Sequence, residues 1–235
     1  ALNKKPPKLF YIVPDFQNPS GVTTSVAKRK RIAELAEAHG FLILEDAPYR
    51  FLRYRGENPP TFKELAPDNT LHISSFSKIM SPGVRVGVLI GPSDIMPKLH
   101  KWSEDTYIHP ALVTEGIVYE YCRRGLLAPN IEKLKALYHP RMDCMLQMLE
   151  THLGDADYSK PEGGFFLSVT LPAAVDGRAL QNNAEKFGIV LSDGSGFFTD
   201  GQGDNFVRLP FCGIPEEQIE VGVQRLAKAI ARYTS

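Results

Sequence analysis

The sequence predicts an α/β protein, with a mostly parallel sheet that has helices on both faces, followed by a small α+β domain. Short apolar runs alternate with a helical pattern in the first part of the chain, which is typical of βαβ units. A long helical pattern then leads into short strands and two further helices. We therefore expect a boundary near residue 130, with domains at residues 1–130 and 131–235.

Composition excludes several classes of function. The 235 residues carry 27 Lys plus Arg and 27 Asp plus Glu, so the net charge is zero and nothing indicates a nucleic-acid or membrane partner. The basic run 28–31 is interpreted as the solvated face of a helix, with a DNA-binding arm as a minor alternative. The cysteines show no metal-like or redox spacing, and no apolar run reaches the length of a membrane span. A cytoplasmic location is predicted.

The first domain begins with the apolar run Leu9–Val13, which predicts a strand buried on both faces. A polar loop follows, and then Ser25 is a candidate N-cap for a helix that ends at His39, before Gly40. Further strands are predicted at residues 41–44, 71–74 and 84–90.

The rest of the chain is predicted to be mainly helical before strands return. Ser93 and Asp94 can cap a helix that runs to Ser103, and Pro140 is expected to kink a long helix. The other predicted helices are 110–124, 130–152, 177–186 and 215–232, and the other predicted strands are 164–170, 187–191 and 205–209.

Asn18, Asp46 and Lys78 each follow a predicted strand. In open sheets of this kind, ligands bind beyond the carboxyl ends of the strands. We therefore expect these side chains to gather along one edge of the sheet, although they are distant in sequence.

The residues around Lys78 indicate a particular cofactor. A lysine amine can form a Schiff base, while Ser75, Ser77 and Arg85 can hold a phosphate dianion. A lysine beside a phosphate site is what pyridoxal 5′-phosphate (PLP) requires. Taken singly, Lys78 could equally be a solvated surface charge and the serines ordinary loop residues.

PLP also requires partners for its ring. A carboxylate opposite the ring nitrogen keeps that nitrogen protonated, and Asp46 is the candidate. The Asn18 amide and the Tyr49 hydroxyl can bind the phenolic oxygen, and Arg208 can bind a substrate α-carboxylate through two parallel hydrogen bonds. Each has a structural alternative, since Asp46 could cap a loop and Arg208 could be a surface strand residue.

These motifs, in this order, resemble the class I/II aminotransferases of PLP fold type I. They are closest to the branch of 2-aminoadipate, aromatic and branched-chain aminotransferases, and the aminotransferase-like domains of MocR-type transcription regulators are also similar. The resemblance rests on Asn18-Pro19-Ser20-Gly21, Asp46-Ala47-Pro48-Tyr49, Ser75-Phe76-Ser77-Lys78, Pro82-Gly83-Val84-Arg85-Val86-Gly87 and Val207-Arg208-Leu209.

The resemblance implies a transaminase, whose large PLP-binding domain includes residues 1–130. Such an enzyme moves an α-amino group between an amino acid and a 2-oxo acid such as 2-oxoglutarate, and acts as a homodimer. Lys78 would attach to PLP and move the substrate Cα proton, and Asn18 would also contact substrate. The other roles are those inferred above for Asp46, Tyr49, Ser75, Ser77, Arg85 and Arg208, and the Asn18–Pro19 peptide bond is expected to be cis.

The family also has a glycine-rich phosphate-binding loop and a ring that stacks on the cofactor, both of which should lie upstream. No glycine precedes Gly21. We therefore expect this chain to be the C-terminal portion of a longer protein and to be inactive alone. Two alternatives stay open: a PLP-binding effector domain of a MocR-type regulator, and another PLP reaction such as β-elimination or decarboxylation.

Overall fold

The computed structural model describes residues 5–192 and 194–234, so Asp193, Ser235 and residues 1–4 lie outside the described part of the predicted domains. The chain divides into two compact units. The first contains the chain up to Asp15 together with Thr23–Leu134, and the second contains Phe16–Val22 together with the chain from Lys135. The predicted boundary near residue 130 stays a prediction.

A four-stranded sheet forms the centre of the first unit. It consists of β1 (Leu9–Ile12), β2 (Leu42–Asp46), β3 (Thr70–Ser75) and β4 (Gly87–Ile90), in that spatial order. The first three strands are parallel and β4 is antiparallel to β3. The α/β class with a mostly parallel sheet is therefore confirmed, and the carboxyl ends of β2 and β3 lie at the same edge.

Helix α1 (Val26–His39) connects β1 to β2 and has the predicted caps. The Ser25 hydroxyl accepts a hydrogen bond from the Lys28 amide, and Gly40 ends the helix with a φ of 67°, in the left-handed region that favours glycine. The buried face of α1 contributes Ala36 to a core cluster that also contains Phe41, Ile43 of β2 and Phe62.

The interpretation of the basic run 28–31 is wrong for Arg29. Its side chain is fully buried, and Nη2 lies 2.6 Å from Oδ1 of the equally buried Asp15. The guanidinium also donates to the carbonyl oxygens of Thr24, Pro14 and Pro60. The neighbouring Lys28 is exposed, as predicted. A buried charge requires this full set of partners, which the local sequence does not reveal.

Strand β1 is also less buried than predicted. It lies at the edge of the sheet, and Leu9 and Tyr11 are 47% and 57% exposed. Only the alternate residues Phe10 and Ile12 pack on the core cluster. The continuous apolar run therefore forms an edge strand with one covered face.

Helices make up the remainder of the first unit. They are α2 (Phe62–Leu65), α3 (Met96–Tyr107), α4 (Leu112–Arg123) and the start of α5 (Leu127–Leu153), with 3₁₀ turns at Pro67–Asn69 and Pro82–Val84. The prediction that Ser93 and Asp94 cap α3 is wrong, because its N-cap is Ile95, which makes no side-chain cap bond. Pro140 lies inside α5.

The second unit contains an antiparallel sheet of β5 (Asp157–Tyr158), β6 (Phe166–Thr170) and β7 (Phe206–Pro210). Two helices, α6 (Gly177–Asn183) and α7 (Glu216–Arg232), are linked to the sheet through a core cluster. That cluster comprises Leu171, Val175, Leu180, Val207, Leu226, Ala229 and Ile230.

The predicted strand at 187–191 is wrong. Ala184–Phe187 forms a 3₁₀ turn, and Gly188 leaves it with a φ of 70°. No strand pairs with the following residues in the described part of the chain, so the β-forming residues Ile189 and Val190 have no ladder to join.

None of the helices within residues 5–192 and 194–234 has both the length and the apolar character required to cross a bilayer.

Candidate active site

The end of β2 carries the carboxylate that the sequence singles out. Asp46 is the last residue of β2 and is half-buried. The Ala47 amide donates to the carbonyl oxygen of Ile73 at 2.9 Å, which fixes the start of the following turn against β3. Tyr49 lies in that turn and is only 6% exposed.

The Asp46 carboxylate has a partner on the neighbouring strand. The hydroxyl of Tyr11 donates a hydrogen bond to Asp46 Oδ2 at 2.8 Å. Sequence reasoning missed Tyr11, which it treated only as part of an apolar run. Two signals together could have identified it. Parallel pairing places β1 beside β2, and tyrosine combines a ring suited to a strand with a polar tip that can bind a carboxylate.

The loop after β3 brings three predicted phosphate ligands together. Ser75 is the last residue of β3, and its Oγ accepts a hydrogen bond from the Ser77 amide at 3.1 Å. Nη1 of Arg85 donates to the Ser77 Oγ at 3.3 Å. Arg85 reaches this position from a left-handed backbone conformation, with a φ of 52°, directly after the 3₁₀ turn Pro82–Val84.

Lys78 directly follows this cluster and is half-buried. The backbone around it is held at both ends. The Met80 amide donates to the Phe76 carbonyl at 2.8 Å, and Asn130 Nδ2, at the start of α5, donates to the Ile79 carbonyl at 2.8 Å. Asn130 is a supporting residue that the sequence did not reveal, because it is distant along the chain.

The donor set of this loop fits a phosphate dianion. Because the Ser77 Oγ accepts from Arg85, its own proton remains to be donated, and the guanidinium supplies positive charge and further N–H groups. In residues 5–192 and 194–234, no group of His, Cys, Asp and Glu side chains is arranged to hold a metal ion.

In the second unit, Asn18 lies in a tight loop. The Asn18–Pro19 peptide bond is cis, as predicted. The Gly21 amide donates to the Gln17 carbonyl at 2.6 Å, and a Cβ at Gly21 would lie 2.2 Å from the carbonyl oxygen of Phe166. Gly21 is therefore the residue that allows this loop to approach β6.

Arg208 on β7 contacts this loop. Its Nη1 donates to Oδ1 of Asn18 at 2.9 Å. Its guanidinium carbon lies 4.9 Å from the ring centre of Phe166 and 5.1 Å from that of Phe197. Its Nε is buried and has no hydrogen-bond partner among the described residues.

This arrangement suits a carboxylate. The aromatic faces orient the guanidinium by cation–π contact, and the hydrogen bond to Asn18 fixes its rotation. The Nε–H of Arg208 has no acceptor among the described residues, and a guanidinium can donate in parallel to a planar anion. The sequence did not predict that Phe166 or Phe197 contacts Arg208. Phe165, next to Phe166 in the chain, is the ring that is buried in the core.

The structure thus groups the predicted site residues within each unit. Ser75, Ser77 and Arg85 are linked by hydrogen bonds in the first unit, next to Lys78. Asp46 ends the adjacent strand β2, and Tyr49 lies in the turn after it. Asn18 and Arg208 are bonded to each other in the second unit.

Comparison with known proteins identifies the family. The model of the family "Aminotransferase class I and II" matches residues 1–226. The chain belongs to this family. The resemblance seen in the sequence is therefore confirmed.

Two of the most similar relatives fit the predicted branch of this aminotransferase family. The aromatic-amino-acid aminotransferase 1 of Thermococcus litoralis is 36% identical, over 95% of this chain and 54% of that protein. The structure of LysN, an α-aminoadipate aminotransferase from Thermus thermophilus complexed with N-(5′-phosphopyridoxyl)-L-leucine, has a TM-score of 0.91 at 28% identity. It is matched over 99% of this chain and 61% of its own length.

A third aminotransferase is similar in structure. The Pyrococcus horikoshii kynurenine aminotransferase, described in complex with PMP, has a TM-score of 0.94 at 34% identity. It is matched over 98% of this chain and 57% of its own length. The chain therefore spans little more than half the length of the relatives it matches.

A regulator is also among the relatives. An uncharacterized HTH-type transcriptional regulator of Bacillus subtilis is 29% identical, over 97% of this chain and 47% of that protein.

Proposed function

We propose that the full-length protein is a PLP-dependent aminotransferase, which moves an α-amino group between an amino acid and a 2-oxo acid such as 2-oxoglutarate. The observation that carries this proposal is the loop after β3. There the Ser77 amide donates to the Ser75 hydroxyl and the Arg85 guanidinium donates to the Ser77 hydroxyl, so that the three residues form one hydrogen-bonded cluster beside Lys78 in the chain. Membership of the aminotransferase family supports it.

Each predicted site residue of the first unit has a proposed role. Ser75, Ser77 and Arg85 bind the phosphate group, so that the cofactor is held by charge-assisted hydrogen bonds. The Lys78 amine attaches the cofactor to the chain and moves a proton at the substrate Cα. The Asp46 carboxylate holds the proton on the ring nitrogen.

The cofactor, when bound, supplies the ring that withdraws electrons from the substrate Cα. The hydroxyl of Tyr49, a buried residue, binds the phenolic oxygen, and the same role is proposed for the Asn18 amide.

Arg208 is proposed to bind the α-carboxylate of the substrate. Its guanidinium is already oriented by Asn18 and by the two aromatic rings, and its buried Nε lacks a partner among the described residues. A carboxylate that accepts from this edge would satisfy a donor that is otherwise costly to bury. The hydrogen bond between Arg208 and Asn18 supports the proposal that Asn18 also contacts the substrate.

We further propose that the full-length protein is a cytoplasmic homodimer, and that residues 1–235 alone do not catalyse the reaction. No disulfide joins Cys122, Cys144 and Cys212, all of which lie in the described part of the chain, and this is consistent with a reducing compartment. On the first unit, Trp102, Ile108 and Val113 are each at least 75% exposed. Exposed apolar residues of this size are typical of a surface that another protein segment covers.

The experiment compares Lys78→Ala with the exposed control Lys98→Ala in the full-length protein. After incubation with PLP, we expect the visible absorbance band of lysine-bound cofactor in the wild type and the control, and its loss in Lys78→Ala. With 2-oxoglutarate and a panel of aromatic amino acids, kynurenine and 2-aminoadipate, glutamate formation should fall by roughly 10²–10⁴-fold in Lys78→Ala. An unchanged band and unchanged glutamate formation would overturn the proposal.

A second candidate is the effector domain of a MocR-type regulator. It is favoured by one observation, the similarity to the regulator from Bacillus subtilis. A full-length protein that binds PLP through Lys78, forms no glutamate with any donor and binds DNA would support this candidate.

A further inference from the structure

Tyr11 and Asp46 lie on the same face of the first unit's sheet. Strands β1 and β2 are parallel, with Tyr11 beside Leu44. Because side chains alternate along a strand, Leu44 and Asp46 point to the same side as Tyr11. The Tyr11 ring spans the diagonal between the strands, and its hydroxyl donates to Asp46 Oδ2 at 2.8 Å.

Packing does not explain why the Tyr11 ring adopts this position. The side chain is 57% exposed, whereas its neighbours Phe10 and Ile12 pack against the core cluster of the first unit. The specific contact that orients the phenol is the hydrogen bond to Asp46. In many tyrosines packing positions the ring and the hydroxyl then finds a partner, whereas in Tyr11 the hydrogen bond itself positions the ring.

The direction of the hydrogen bond is fixed by charge. Partial burial, together with the hydrogen bond to Asp46 and the nearby Asp46 and Tyr49, raises the pKa of Tyr11 to about 12. The phenol therefore stays protonated at neutral pH and donates to the carboxylate. Among the described residues, Asp46 Oδ1 accepts no side-chain hydrogen bond, so it can accept from a different donor.

We infer that Tyr11 is a positioning residue, whose hydroxyl holds Asp46 with Oδ1 directed at the ring nitrogen of bound PLP. This inference rests on the proposed function, because it requires that Asp46 bind the cofactor. The side chain of an aspartate at the end of a strand can rotate about its χ angles. A hydrogen bond that fixes one carboxylate oxygen removes that freedom before the cofactor binds. Preorganisation of this kind increases affinity by lowering the ordering cost of binding.

The size of the effect follows from the bond that is lost. Hydrogen bonds to charged groups are stronger than neutral ones, and the half-exposed phenol places this one at the weaker end of their range. We therefore expect Tyr11→Phe to weaken the binding of PLP by roughly ten-fold. We also expect kcat to fall more than KM rises, because the substrate contacts its own residues.

The experiment is a double-mutant cycle in the full-length protein, with the PLP dissociation constant as the readout. The variants are Tyr11→Phe, Asp46→Ala and the pair, with the exposed Tyr119→Phe on α4 as the matched control. Tyr11→Phe should weaken binding roughly ten-fold in the wild-type background and less than about two-fold in the Asp46→Ala background. The control Tyr119→Phe should leave the PLP dissociation constant unchanged in both backgrounds. Thermal unfolding without cofactor should show that all variants fold.

A second readout is the pH dependence of the absorbance of bound PLP, which reports the protonation of the cofactor. The pH at which this absorbance changes should shift in Tyr11→Phe and should stay at the wild-type value in Tyr119→Phe. Equal effects of Tyr11→Phe in both backgrounds, or no effect in either, would overturn the role of Tyr11. If Asp46→Ala itself leaves PLP binding and the pH dependence unchanged, the proposed function of Asp46 fails instead, which is a distinguishable result.

Discussion

Replacing Arg208 by lysine is the sharpest test of the proposed substrate site. Lysine keeps the positive charge but cannot present two parallel N–H groups to a planar anion. It also changes the ring contacts at 4.9 and 5.1 Å, because an ammonium cannot stack on the rings as a flat guanidinium does. The ammonium of the lysine could still donate to Asn18 Oδ1, which accepts from Arg208 at 2.9 Å.

The magnitude follows from the bonds that change. Loss of one charge-assisted hydrogen bond to the α-carboxylate costs about 1.5–3 kcal/mol, which corresponds to a fall of roughly 10–150-fold in kcat/KM. The rings orient Arg208 but do not touch the reacting atoms, so their loss should add less than about ten-fold. We therefore expect a decrease of about 10²-fold in Arg208→Lys.

The assay compares two substrates with the full-length enzyme. One is the best amino acid donor, and the other is the corresponding amine without a carboxylate. Arg208→Lys should lower kcat/KM for the amino acid and leave the slow reaction of the amine unchanged. A decrease below about three-fold for the amino acid, or equal decreases for both substrates, would refute the assignment of Arg208 to the carboxylate.

Two further predictions concern stability. Arg29→Met should destabilise the full-length protein by about 3–5 kcal/mol, because it leaves the buried Asp15 carboxylate with only more distant arginine partners. A urea unfolding midpoint close to that of the wild type would contradict this. Thr61→Ala should cost about 1 kcal/mol at neutral pH, since Thr61 accepts from the Glu64 amide and donates its own amide to the Glu64 carboxylate. The Thr61 amide and, to a smaller extent, its hydroxyl donate to the Glu64 carboxylate and lower the pKa of Glu64 below its usual 4.5. Thr61→Ala keeps the amide bond and removes the hydroxyl bond, whose stabilisation is present above that pH and is lost as the pH falls through the lowered pKa. The difference between wild type and Thr61→Ala in urea unfolding should therefore shrink in acid, and a constant difference would contradict the role of Glu64.

Local chemistry made much of the fold predictable. The helix after Ser25 ends at Gly40 as expected, because a hydroxyl N-cap and a left-handed glycine act within one turn of the chain. Asp46 and Ser75 end β2 and β3 for a similar reason, since each follows an apolar run that suits a buried strand. These signals lie in sequence neighbours, and so a single sequence contains them.

Features that depend on distant partners were not predictable in the same way. The strand expected at 187–191 has the right residues, but a strand also needs a neighbour, and none pairs with it in the described residues. Arg29 lies in a basic run with the pattern of an exposed face, and its burial depends on Asp15 and on carbonyl groups elsewhere. The link between Tyr11 and Asp46 likewise depends on which strands are adjacent.

A comparison of Arg29 with Arg208 illustrates how hydrogen bonding can distinguish a structural arginine from a candidate binding residue. Every donor nitrogen of Arg29 has a partner: Nε, Nη1 and Nη2 bond to carbonyl groups and to Asp15. Arg208 is also held, yet its buried Nε has no partner among the described residues. A buried donor without an acceptor costs about 1–3 kcal/mol, and that cost is recovered when an anion arrives. The pattern of hydrogen bonds assigns Arg29 to the fold, and the donor of Arg208 that lacks an acceptor supports its proposed role in binding a ligand.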